Sequence, residues 1–113
     1  MPQTVEQTVE QKERSMEVAK TILTQLGGNK FIAMTGAREF VAIENGICFR
    51  FPGKTTPRVN YLKIVLQGDD TYSMEFGRVW GMKITTVKMI EGGVYFDQLQ
   101  SIFTENTGLY THL

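Results

Sequence analysis

The chain has one cysteine, Cys48, and one histidine, His112. A single cysteine excludes an internal disulfide. One cysteine with one histidine also falls short of the four ligands of a structural zinc site. No nucleophile–base–acid set can be assembled around a lone histidine at a chain end, where segments usually fray. The sequence also lacks an apolar run long enough to span a bilayer and a secretory leader, so the expected compartment is the cytoplasm. It lacks a charge excess as well: twelve acids balance twelve bases, and overall charge points to no partner. No cofactor is implied.

What is present is a folded-domain composition, 42% hydrophobic and 11% aromatic over 113 residues. That length fits a single domain over 1–113. The charge is segregated along it. Residues 1–28 hold four acids and three bases, residues 29–90 nine bases and five acids, and residues 91–113 three acids and no base. The middle is therefore basic and both ends acidic.

The first segment has helical periodicity. Val5, Val9, Met16, Ala19, Leu23 and Leu26 recur at a/d spacing, with Lys12 at the one missing seam position. Val18 and Ile22 widen the stripe in its second half only. Gly27-Gly28 ends the helix. The narrow early seam suggests that residues 1–15 project from the domain and pair with a second copy through Val5, Val9 and Met16, giving a homodimer.

The pattern then changes to period two. Phe31 to Thr35 reads as a short strand. Residues 39–44 and 47–52 read as a hairpin closed by a type I′ Asn45-Gly46 turn that pairs Glu44 with Ile47. Both faces of that hairpin look apolar, so it is expected at the centre of the sheet, covered on both sides. Strands follow at 60–67, 71–79 and 82–90, with Leu62, Ile64 and Leu66 on one face and Tyr72, Met74 and Phe76 inward. Glu91-Gly92-Gly93 breaks the last strand. Residues 94–106 form a second amphipathic helix with Phe96, Leu99, Ile102 and Phe103 on its apolar face and Gly108 as its cap. The expected fold is α+β: an antiparallel sheet of five or six strands with an N-terminal and a C-terminal helix packed on it.

Chemistry is sparse. Asp69-Asp70 reads as a turn, because two adjacent carboxylates lack the further ligands that Mg²⁺ or Ca²⁺ needs. Gly27-Gly28-Asn29-Lys30 and Gly53-Lys54-Thr55-Thr56 hold fragments of a phosphate loop without its full spacing, which argues against an NTPase. Cys48 sits mid-strand and reads as a buried, inert thiol. The basic middle is the one binding pattern. Arg50, Lys54, Arg58, Lys63, Arg78 and Lys83 lie near Tyr61, Phe51 and Trp80, a mixture of bases and stacking aromatics suited to nucleic acid. Ordinary solvated strands with core aromatics would give the same mixture.

The runs Leu26-Gly27-Gly28-Asn29-Lys30-Phe31-Ile32-Ala33-Met34-Thr35-Gly36-Ala37, Asn60-Tyr61-Leu62-Lys63-Ile64, Glu75-Phe76-Gly77 and Thr107-Gly108-Leu109-Tyr110-Thr111 resemble a group of small uncharacterised proteins encoded by bacteriophages and prophages. The similarity runs from about residue 22 to the end and leaves out the first 20 residues. It carries over no functional residue. It implies a phage accessory protein made in the host cytoplasm. Two functions are expected: a non-enzymatic accessory protein that binds a macromolecular partner such as a host protein, or a nucleic-acid-binding protein that uses the basic sheet and loop 52–58.

Overall fold

The computed structural model describes residues 9–53 and 59–111. Five strands form one antiparallel meander in the order β1-β2-β3-β4-β5: β1 (Arg38–Ile43), β2 (Gly46–Arg50), β3 (Tyr61–Leu66), β4 (Tyr72–Trp80) and β5 (Lys83–Val94). Helices α1 (Val9–Leu26) and α2 (Gly28–Thr35) precede the sheet. A 3-10 turn at Phe96–Gln98 leads into α3 (Leu99–Thr107) after it. The fold is the expected α+β sheet with terminal helices, with one addition and several shifts.

The addition is α2. Phe31 to Thr35 is helical, not a strand. Phe31 and Thr35 stand four residues apart, so on a helix they share one face, and both are buried. Gly27 and Gly28 take positive φ, which ends α1 and lets a new helix begin at once, and Gly36 closes α2 in the left-handed region.

All the helices cover the same face of the sheet. Ile47, Phe49, Leu62, Ile64, Met74 and Phe76 point to it from the strands. Ala19, Ile22 and Leu26 of α1, Phe31 of α2 and Leu99 and Phe103 of α3 meet them in one core. Edge-to-face ring contacts join the layers: Phe31 to Phe49 at 5.6 Å, Phe31 to Phe103 at 5.0 Å and Phe51 to Phe103 at 5.2 Å between centroids.

The β1–β2 hairpin lies at one edge of the sheet rather than at its centre, and only its inner face is covered. Its turn also lies one residue earlier than the expected type I′ pair, which moves the partner of Ile47 from Glu44 to Ala42. Ile43 faces Gly46 and Ala42 faces Ile47, so the two-residue turn is Glu44-Asn45. Only Asn45 takes the left-handed conformation there. Gly46 is required for a different reason: a Cβ at that position would collide with the Ile64 carbonyl oxygen and lie 3.1 Å from the Val65 Cα.

At the other edge β5 runs for 12 residues, past the expected break. Gly92 and Gly93 take positive φ and form a bulge between the pairs Met74–Ile90 and Tyr72–Val94, so the strand resumes instead of ending. The last pairing of β3 with β4 is Tyr61 with Gly77, whereas β4 and β5 continue to Trp80 and Lys83. That end of the hairpin therefore extends past β3 as an arm. Gly81, with φ 61°, supplies the first central residue of its tight turn. The Asn60 side chain braces the base of the arm, accepting from the Val79 N–H at 2.7 Å and donating to the Val79 carbonyl at 3.2 Å.

Candidate functional site

Among the described residues, three surfaces offer candidate sites: the uncovered face of the sheet, the β4–β5 arm, and a groove between α1 and α3.

The uncovered face is set by strand alternation. Cross-strand partners share a face, so Val41, Cys48, Lys63, Glu75 and Met89 form one row across all five strands. Arg50, Tyr61 and Gly77 lie in the adjacent row. Val41 is 53% exposed and Met89 45% exposed. Between them lies a shallow depression of about 370 Å³ lined by Ile43, Glu44, Cys48, Tyr61, Lys63 and Val65. Partial burial raises the Tyr61 phenol above its ordinary value, and contact with Cys48 and the nearby Glu75 carboxylate push it the same way. Glu75 accepts a hydrogen bond from the Thr86 hydroxyl at 2.6 Å. Cys48 is half-buried in the wall of this depression rather than enclosed in the core.

The arm carries exposed apolar groups and bases. Met82 at the turn is fully exposed and Trp80 71% exposed, followed by Ile84 and Val87. Arg78 stands over the Trp80 ring at 5.0 Å. Arg78, Lys83 and Lys88 are the charged residues between Phe76 and Ile90, with no acid among them.

The groove has a volume of about 1000 Å³ and lies between the C-terminal end of α1, the 3-10 turn, α3 and the tail. Among the described residues its walls include exposed Phe96 and Tyr110, the acids Asp97 and Glu105, and no base. Hydrogen bonds fix its floor. Tyr72 Oη donates to Gln25 Oε1 at 2.7 Å, Gln100 Nε2 donates to the Gln25 carbonyl at 3.2 Å, and Thr111 Oγ1 pairs with Gln100 Oε1 at 3.0 Å. Phe96, expected on the buried face of the last helix, instead lines this groove because it sits in the 3-10 turn before α3 begins.

The basic residues singled out in the sequence do not form one patch. Arg50 and Lys63 lie on the uncovered face, and Arg50 is engaged by Glu39 at 3.5 Å. Arg78 and Lys83 lie on the arm. Lys54 and Arg58, with the greater part of loop 52–58, fall outside the described residues. Of the expected dimer seam, Val5 and the Val9 side chain are also outside them, while Met16 is 52% exposed on α1. Among the described residues no group of three or more His, Cys, Asp or Glu side chains could hold a metal ion. Among them, too, no helix is long and apolar enough to cross a membrane. The arm and the groove escaped the sequence reading; the only signals were an acid-free stretch from Phe76 to Ile90 and a base-free one after it.

No protein-family model, no curated protein and no solved structure matches the chain.

Proposed function

We propose that the protein is a phage accessory protein that acts by binding a macromolecular partner, a host protein among the candidates, on the uncovered face of its sheet. The supporting observation is the row Val41–Cys48–Lys63–Glu75–Met89. It presents apolar groups at both ends of a five-stranded platform, on the face opposite the one that packs against the helices. An exposed apolar surface with a polar surround is the usual mark of a macromolecular contact. The test is affinity capture from host lysate with the wild type and with Val41→Glu/Met89→Glu, both exposed positions that leave the core intact. A partner retained by the wild type and lost by the variant supports the reading; identical capture profiles refute it.

Nucleic acid is the second reading. The favouring observation is the Arg78–Trp80 stack on an arm without acids, because bases and exposed aromatics together bind single strands. Neutralising Arg78, Lys83 and Lys88 should then reduce the log–log salt slope of oligonucleotide binding by up to about 3. A wild type that binds neither DNA nor RNA at low salt ends this reading.

A further inference from the structure

Strand β5 is an edge strand of 12 residues. Among the described residues, one row of its backbone N–H and C=O groups has no partner strand, and such an edge is a template for another β-strand. At one end of β5 stands the arm tip, Trp80 to Met82. At the other lie Tyr95 and Phe96, which lead into the groove. The geometry points to a second copy of this chain as the occupant of that edge. The two β5 strands pair antiparallel, and the arm tip of each copy seats in the α1–α3 groove of the other.

Three observations select a second copy. The first is position. An antiparallel pair of identical strands sets the residues just before Lys83 of one copy against those just after Val94 of the other, which brings Trp80–Met82 to Tyr95–Phe96. The second is facing. Alternation from Phe76 puts Arg78 and Trp80 on the helix-covered side, with Lys83 paired to Trp80 on that same side. A two-fold axis perpendicular to a continuous sheet keeps the helices of both copies on one side. Trp80 therefore rises on the side where the partner's groove opens. The third is charge. Arg78 and Lys83 on the arm meet a groove whose charged lining residues, among those described, are Asp97 and Glu105. The exposed lysines that would otherwise discourage pairing of a free edge thus find acids across the interface. The contact is isologous and closes on itself, so it ends at a dimer. It joins two five-stranded sheets into one of ten strands and leaves the uncovered face free. Val41 lies on β1 at the opposite edge of the sheet, so Val41→Glu alone tests partner binding separately from this contact.

The test is the mass of the full chain in solution by light scattering, with each variant checked for folding by circular dichroism. The wild type should show twice the 12.8 kDa chain mass. Trp80→Ala/Met82→Ser and Arg78→Glu/Lys83→Glu should each lower it to that of one chain. Combining Arg78→Glu/Lys83→Glu with Asp97→Lys/Glu105→Lys reverses the charge on both sides of the contact and should restore the dimer. A wild-type mass of one chain overturns the proposal. So does a dimer indifferent to Trp80→Ala/Met82→Ser, or a charge-exchanged variant that stays monomeric.

Discussion

Gly46 shows how a residue can be identified for one reason and held in place by another. Asn45-Gly46 locates the first hairpin correctly, but the left-handed position is Asn45, and Gly46 is fixed by the backbone of β3 crossing close to it. A contact between neighbouring strands is not written in the local sequence of either one. It follows that even alanine is too large at this position. Gly46→Ala should destabilise the fold by about 1–3 kcal/mol, as overpacking does in a close-fitting interior, and Gly46→Val should cost at least as much. Denaturant midpoints of the two variants check this. Tyr61 gives a second residue-level expectation. Burial raises its pKa, so the folded state holds the phenol proton more tightly than the unfolded chain. The resulting stability is fully present below the ordinary tyrosine value of 10.0 and is lost as pH rises beyond it. Tyr72 is shifted in the same direction by burial. Tyr61→Phe should flatten the alkaline fall in stability without abolishing it, measured by denaturant unfolding on either side of that value.

At the scale of elements, the strands with strict alternation were legible, and β3 and the inner half of β4 match their expected faces residue for residue. α2 was not legible, because five successive residues without a charge fit either period, and glycine before them suggested only an ending. The deciding signal lies at its C-terminus and recurs in the chain. Thr35-Gly36-Ala37 and Thr107-Gly108-Leu109 use the same device. Each threonine hydroxyl donates to the carbonyl four residues back, Thr35 to Phe31 and Thr107 to Phe103, both at 2.7 Å. Each also accepts the N–H two residues on, Ala37 at 3.2 Å and Leu109 at 3.1 Å, across a left-handed glycine. A strand has no use for this arrangement. Thr35→Val keeps the shape of the side chain but leaves the buried Ala37 N–H without that acceptor, so it should cost about 1–3 kcal/mol. Thermal unfolding of Thr35→Val beside Thr35→Ser, which retains the hydroxyl, separates the lost hydrogen bond from lost packing.

For the whole molecule, the sequence shows which residues are apolar but not which strand ends up at an edge or how far a hairpin extends past its neighbour. Those properties depend on where β3 stops pairing, at Tyr61, and on the bulge that carries β5 through Gly92-Gly93. They decide where the available surfaces lie. The a/d seam of the first segment points to Val5, Val9 and Met16 as the dimer contact; in the described part of α1, packing against the core begins at Val18, with Ala19, Ile22 and Leu26 buried. Met16 lines a shallow trough with Lys12, Glu13, Glu17 and Lys20 instead of reaching the sheet. Among the described residues, the portion of α1 from Met16 onward contains those that anchor this helix to the domain. Removing residues 1–14 deletes no core side chain among the described residues and leaves β5, the arm and the groove intact. The shortened chain should therefore keep its fold, with a melting midpoint close to that of the full chain, and its mass should remain that of two copies. A shortened chain that is folded but monomeric would return the interface to the N-terminal seam; one that unfolds would show that α1 needs its first turns to hold the sheet.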